Sequence, residues 1–436
     1  MPLLDALIRG LRAAGFDGLA RSALQRAAAR AGAGPAELER LRDYAIEAGW
    51  SAETAAASAA LLAAQPDDAR SLWALGVVRL QAGDLDGATQ AFARCDELQS
   101  GGIASARRVR AAFMDPARGA RGEPYVAELH DVLLETSFCV VFDGANAYIL
   151  ETQDRAFKAH PWVRARVAPD GESFVVTLGP PHGDLAEPAV LLGTDDNYSH
   201  WITRNLLRLA LVEARPDLAS VPLLVNEDLR SYQREFLDIL GVPASRLLPV
   251  PRELLLRFRT LYVPTNVRNK PGMKAGVDWL RSRVGHLMAD PSAAARRVFL
   301  SRRDSTTRVM RNEEALEAEL RKLGFDVLVA GEMTVAEQIR AFSEARIVVG
   351  AHGAGLTNLV FAPPGALVFE ITPTRIAHME DFRHIAAIMG LRHVEVRCDR
   401  YPADQRPDTL EMHWDFEADV GRVLDALRAS APEVFR

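Results

Sequence analysis

The segment Val348-Val349-Gly350-Ala351-His352-Gly353-Ala354-Gly355-Leu356-Thr357-Asn358 sets one imidazole among small residues, between an apolar run and the hydrophobics Leu356, Leu359, Val360 and Phe361. The preceding Arg346-Ile347-Val348-Val349 reads as a buried parallel strand, and the hydrophobics after the turn have helical spacing. Strand, glycine turn and helix in that order present free backbone N–H groups at a helix N-terminus, a seat for a phosphate. Gly353 and Gly355, with Ala354 between them, would let the backbone approach such a ligand closely. A tight strand-to-helix connection without a ligand has the same outline.

Further polar groups stand just past other strand-like runs. Ser301, Arg302 and Arg303 follow one, and Glu370, Thr372 and Thr374 follow another. A guanidinium suits a diphosphate because its planar fork pairs two oxygens and stays charged; a solvated loop is the plainer reading of Arg302 and Arg303. A carboxylate such as Glu370 suits a ribose diol, or simply pairs a neighbouring basic group. His352 either stabilises a leaving phosphate when protonated or caps the helix. Earlier in the chain, Gly193-Thr194-Asp195-Asp196-Asn197-Tyr198-Ser199-His200-Trp201 opens a helix after an apolar strand. His200 beside Asp195 and Asp196 is a candidate general base for a hydroxyl; either aspartate could itself be the base, or the group could merely cap the helix.

The elements that must position these groups follow from composition and periodicity. A chain of 436 residues, 48% hydrophobic and 25% charged, has room for two or three domains with a large core. A net charge of −6 argues against nucleic acid as a partner. No apolar run reaches the length of a membrane span, and Met1 to Gly15 is amphipathic and interrupted by arginine rather than signal-like. Cys95, Cys139 and Cys398 lack metal-ligand spacing, which fits packing residues in a reducing cytoplasm.

Residues 1–105 show a period of 34: Leu4, Leu38 and Leu72; Leu7, Leu41 and Leu75; Gly15, Gly49 and Gly83. That is the length of a helix–turn–helix repeat. The best copy, Arg70 to Leu98, places Leu72, Leu75 and Gly76 on one helix, Gly83 at the turn and Ala88 and Phe92 on the next, with Asp67 as the cap. It resembles a tetratricopeptide repeat, a docking or dimerisation surface or only a helical stack. From residue 106 onward, strands alternate with helices, as in parallel sheets. One set (Phe138–Phe142, Ser173–Leu178, Ala189–Gly193, Val221–Val225, Arg257–Val263) ends at a hinge-like Pro264–Gly272. The second comprises Arg297–Ser301, Phe325–Val329, Arg346–Val349, Ala366–Ile371 and His393–Arg397. The expected domains are 1–105, 106–265 and 266–436, an all-α repeat region followed by an α/β pair of Rossmann-type domains with a cleft at the carboxyl ends of their strands.

Ser301-Arg302-Arg303, Arg311-Asn312-Glu313, Glu337-Gln338-Ile339, Ala351 to Asn358 and Phe369-Glu370-Ile371 resemble, in order and spacing, the core of glycosyltransferase family 61, and Asn197-Tyr198-Ser199-His200-Trp201 is similar to a segment of that family's first half. The resemblance covers roughly residues 125–400. It implies a GT-B fold, a nucleotide-sugar donor (usually a UDP-sugar) and metal-independent transfer with inversion, with no cofactor. The donor would then contact Ser301, Arg302, Arg303, His352, Gly353, Ala354, Gly355, Asn358 and Glu370, while His200 faces the acceptor. Asp195-Asp196 lies in the acceptor half, not where a metal-binding D-x-D pair belongs. The function expected is transfer to a glycan hydroxyl in bacterial surface polysaccharide synthesis, in the cytoplasm or peripheral to the inner membrane. Alternatives are a nucleotide-sugar epimerase, a protein O-glycosyltransferase whose helical repeats hold a polypeptide, and a non-catalytic nucleotide-binding scaffold. A protein partner or a homodimer would use the repeats.

Overall fold

A computed structural model describes residues 34–47, 50–82, 124–137, 139–143, 173–178, 181–265, 270–405 and 410–435, with parts of 21–26, 84–94, 106–111, 146–147 and 163–167. Leu4, Leu7, Gly15, Gly49, Gly83, Phe92 and Cys95 of the proposed repeats lie outside the described residues. The chain divides into two compact units, residues 1–113, 129–187 and 252–260 in one, and 114–128, 188–251 and 261–436 in the other.

The first unit contains helices α1 (Pro35–Glu47), α2 (Ser51–Ala64) and α3 (Ala69–Ala82), each packed on the next. Leu38 and Leu41 of α1 and Ala57 and Leu61 of α2 are buried, and so are Thr54 and Ser58. The α3 cap is Asp68 rather than the expected Asp67: its carboxylate accepts the Ser71 N–H at 2.9 Å. The reason is Arg42, buried on α1, which holds Asp68 at 2.6 Å and Ser71 Oγ at 2.9 Å, while Asp67 pairs with exposed Arg94. Strands β1 (Ala106–Ala111), β2 (Val126–Glu135), β3 (Val140–Asp143), β4 (Asn146–Ala147), β5 (Val163–Val167) and β6 (Ser173–Leu178) follow. The parallel sheet expected here is corrected. Among the described residues β2 with β3, β3 with β4, β5 with β6 and β1 with β6 are antiparallel, while β1 with β4 is parallel. The connections 136–139 and 168–172 are hairpin lengths, far too short for the crossover a parallel pair requires. β7 (Gly183–Leu185) pairs with the start of the strand β11 (Leu255–Pro264).

The second unit carries two parallel sheets. One consists of β8 (Ala189–Gly193), β9 (Leu223–Asn226) and β10 (Leu247–Val250), with Leu261 and Tyr262 of β11 paired to Ala189 and Val190. β8 leads into a helical run, Tyr198–His200, Trp201–Asn205, Leu206–Arg208 and Leu209–Glu213, and α4 (Ser231–Ile239) precedes β10. The other sheet has the order β13 (Asp326–Val329), β12 (Arg296–Ser301), β14 (Ala345–Ala351), β15 (Leu367–Pro373), β16 (Arg392–Cys398). Its crossovers are α6 (Glu313–Lys322), α7 (Val335–Ser343), the 3-10 helix Ala354–Phe361 and α8 (Asp381–Met389), and α9 (Val420–Ser430) follows β16.

Strand alternation divides this sheet cleanly. Val298, Leu300, Val348 and Val368 face a core shared with the β8 sheet and its helices, whereas Phe299, Val349 and Phe369 face a second core under α6 and α9. Of the hinge expected at Pro264–Gly272, Pro264 ends β11 and Lys270 to Gly272 begin a helix, while 266–269 lie outside the described residues. α5 (Lys270–Val284) already contains Pro271 and Gly272 in its first turn, where a missing N–H costs nothing, and Met273, Val277, Leu280 and Val284 enter the shared core. Among the described residues no helix is long and apolar enough to cross a membrane.

The two sheets are also latched by polar groups. Tyr198 Oη lies 2.7 Å from Asn358 Oδ1 and 3.0 Å from Gln338 Oε1, so its single proton serves one of them at a time. Asn358 donates to Gln338 Oε1 at 2.8 Å and to the Gly355 carbonyl at 3.1 Å, and Gln338 donates to the Ala330 carbonyl at 3.0 Å. Burial raises the Tyr198 pKa far above its ordinary value, so the phenol stays a donor. Tyr198→Phe should therefore cost about 1–3 kcal/mol, by leaving buried amide groups without their partner. Urea unfolding of the variant measures this, and an unchanged midpoint would show that the latch contributes nothing.

Candidate active site

In the second sheet, β12 is followed in space by β13 on one side and β14 on the other, so the crevice where the strand order reverses opens at the carboxyl ends of β12 and β14. A cavity of about 310 Å³ lies there. Leu300, Ser301 and Arg302 line it from the end of β12, and Ala351, Gly353, Ala354 and Gly355 from the end of β14. Ser231, Tyr232 and Glu235 contribute from α4. The volume sits at the lower end of the small-ligand range.

Arg302 is the centre of this wall. Its Nη2 donates to Ser305 Oγ and to the Thr307 carbonyl, both at 2.8 Å, while its buried Nε has no partner. Among the described residues no carboxylate forms an ion pair with it. Burial, and then the neighbouring Arg308, pull its pKa down to about 10, so it remains a cation near neutrality. Arg308 has a left-handed backbone (φ 51°), an unpartnered buried Nε, and a pKa lowered by burial. The Arg302 guanidinium, without a close ion-pair partner among the described residues and with the Arg308 charge adding to its own, favours an anion more than the partial compensation from Asp304 and Glu313 opposes it.

The residues beside Arg302 hold its loop in place. Glu313, in the first turn of α6, accepts the Arg302 N–H through both oxygens at 3.1 and 3.2 Å and also receives the Ser301 hydroxyl. Gly353 has an extended backbone (φ 177°), so the reason for glycine is room: a Cβ there would lie 1.5 Å from Arg302 Nη1. The helix after the turn is the 3-10 segment Ala354–Phe361, not an α-helix.

Of the residues expected to hold a donor, Ser301, Arg302, Gly353, Ala354 and Gly355 line the cavity, and four do not. Arg303 is committed to Glu317 and Ser301 Oγ. Asn358 is fully buried in the Tyr198 latch. Glu370 is the hub of a buried triad, its Oε1 meeting His352 Nδ1 at 2.5 Å and its Oε2 meeting His393 Nε2 at 2.7 Å, and it does not line the cavity. His352, between Glu370 and the ring of Phe382 at 4.8 Å, is therefore oriented by the triad rather than set in the cavity wall. On the acceptor side, His200 Nδ1 is 3.4 Å from Asp195 Oδ1, as expected, and Asn197 rather than an aspartate caps the helix. Asp196 is paired with Arg230 at 3.4 Å. His200, Asp195 and Asp196 are not part of the cavity wall. Arg308, Glu235 and His393 were not anticipated. Of these, only Glu235 had a local signal, three residues after Tyr232 on one face of a helix.

Burial alone would raise the Glu370 pKa, but the hydrogen bonds from His352 and His393 outweigh it and leave the pKa below the ordinary glutamate range. A carboxyl depressed in the folded state contributes stability above its unfolded pKa and loses it as pH falls through the folded value. Glu370→Gln should therefore be less stable by about 1–3 kcal/mol at neutral pH, with the gap closing in acid below the glutamate range. Urea unfolding at both pH values tests this; a gap independent of pH would contradict it.

Residues 198–369 match the family model described as Glycosyltransferase 61. Curated relatives agree over shorter stretches. An alpha-1,3-arabinosyltransferase of Oryza sativa subsp. japonica is 32% identical over 133 residues, 26% of this chain and 22% of the relative. A beta-1,2-xylosyltransferase of the same plant is 43% identical over 70 residues, 16% of this chain and 12% of the relative. An EGF domain-specific O-linked N-acetylglucosamine transferase of Drosophila melanogaster is 26% identical over 167 residues, 36% of this chain and 31% of the relative. Every residue of the cavity wall falls inside the matched segment. The stretch that builds this site, residues 198–369, is thus the part of the chain that is similar to Glycosyltransferase 61.

Proposed function

We propose that the protein is an inverting glycosyltransferase with a GT-B-like catalytic region, moving a sugar from a nucleotide-sugar, with UDP as the nucleotide, to a hydroxyl of a glycan. The observation that carries this reading is the buried Arg302 guanidinium, lining the strand-end cavity without an ion-pair partner and backed by Arg308. A diphosphate leaving group develops negative charge as the glycosidic bond to it breaks, and fixed cations at that point stabilise the transition state. With Arg302 on the cavity wall to meet the charge, we take the transfer to be independent of metal. The match of residues 198–369 and the sugar-transferring relatives support the same reaction class.

The alanine- and arginine-rich composition is the support for a bacterial cell, and hence for a surface polysaccharide as the product. A polypeptide acceptor is the second reading, favoured by the Drosophila relative, whose name specifies EGF domains, and by helices α1–α3 as a surface on which a chain could lie.

Calorimetric titration with UDP, GDP and CDP in EDTA tests the donor site. UDP should bind, and Arg302→Ala should weaken it by roughly 10- to 150-fold, the worth of a hydrogen bond to a charged group. Gly353→Ala should produce a comparable loss without changing any charge, because its Cβ would occupy the position of Arg302 Nη1. UDP affinity unchanged in both variants would contradict the assignment.

A further inference from the structure

An inverting transfer needs a group that takes the proton from the attacking hydroxyl, and that group has to reach the cavity that holds the donor. The expected base, His200 with Asp195, is not on the cavity wall. We infer that Glu235 is the proton acceptor, an inference that rests on the cavity being the nucleotide-sugar site proposed above.

The titratable groups on the wall can be compared one by one. Tyr198 is committed to the Asn358 and Gln338 latch. Tyr232 donates its proton to the Asp196 carbonyl at 2.6 Å. Asp304 stands on the Arg302 loop, where it accepts the Gly331 N–H at 2.8 Å and sits two residues from the cation that would hold the leaving group. Glu235 stands instead on α4, the element of the β8 sheet that reaches the cavity, with Ser231 one helical turn before it and Tyr232 on the same face.

Its carboxylate is also oriented. Glu235 Oε2 accepts the Val335 N–H at the start of α7 at 2.7 Å, which anchors one oxygen and leaves Oε1 without a hydrogen bond among the described residues. The step balances as follows: the acceptor oxygen bonds to the anomeric carbon as the bond from that carbon to the diphosphate oxygen breaks. The electron pair leaves on the nucleoside diphosphate beside Arg302, and the hydroxyl proton passes to Glu235 Oε1 and then to solvent.

Glu235→Gln is the informative variant, because an amide oxygen still accepts the Val335 N–H while the group loses its basicity. The readout is UDP release from UDP-xylose and UDP-N-acetylglucosamine, to water or to an oligosaccharide, across a pH series, alongside the Kd for UDP. Glu235→Gln should lower kcat at least ~100-fold, with the UDP Kd unchanged and the acidic limb of the pH–rate profile lost. Glu235→Asp, which keeps a carboxylate, should retain part of the rate and that limb. Turnover of Glu235→Gln at the wild-type rate overturns the inference. So does a collapse seen in His200→Ala but not in Glu235→Gln, which would assign the base to the His200–Asp195 pair. A wild-type protein that binds no UDP and releases none from either sugar overturns the transferase reading itself, and the role of Glu235 with it.

Discussion

The site depends on keeping one guanidinium charged where burial opposes charge. Arg302 is enclosed at the end of β12 with a second arginine nearby, and the charges of Asp304 and Glu313 offset only part of that cost, since among the described residues no carboxylate forms an ion pair with it. Most of the surrounding sequence serves that placement. Glu313 takes the backbone N–H of Arg302 rather than a side-chain hydrogen bond, so the loop is fixed while the guanidinium keeps free donors. The absence of a side chain at Gly353 makes the space in which the guanidinium lies. An enclosed cation with unmet hydrogen-bonding capacity is costly to the folded protein, and such a cost is expected where an anionic ligand supplies the missing partner.

Around this centre, the polar groups divide into those that hold and those that are open. The Tyr198, Gln338 and Asn358 latch and the His352, Glu370 and His393 triad have their hydrogen bonds directed at one another. Both are buried networks in which each member orients the next, the arrangement that makes a polar interior rigid. The triad ties His352, just past β14 and immediately before Gly353, to Glu370 in the middle of β15 and His393 near the start of β16. The imidazole in the motif is held through Nδ1 by Glu370, next to the glycine turn that faces Arg302.

Strands with strong local patterns were legible in the sequence. Ala189–Gly193 is found at its expected limits, and those of the second sheet lie within two residues of expectation, because each is a short apolar run bounded by turn residues. The start of α5 was hidden because Pro271 and Gly272 read as breakers, although both are tolerated in a first helical turn. The antiparallel strands of the first unit were mistaken for parallel ones because apolar content marks a strand but not the direction of its partner. At the site, Arg302 and the glycines were legible from their place after strands. The partners that decide what each group does were not: Glu370 meets His393 across 23 residues and Tyr198 meets Asn358 across 160, separations that only the folded topology closes. That is why Glu370 and Asn358 read as ligand contacts, whereas the fold places both in buried hydrogen-bond networks off the cavity wall.

The most direct test of this account is a crystal structure of the protein with UDP bound. It should place the diphosphate in the strand-end cavity, with its oxygens within hydrogen-bonding distance of Arg302 and the Gly353–Gly355 turn beside it, and with the Glu370 carboxylate still held by its two imidazoles. A diphosphate seated elsewhere, with Arg302 untouched, would contradict the claim that this buried cation is the donor site.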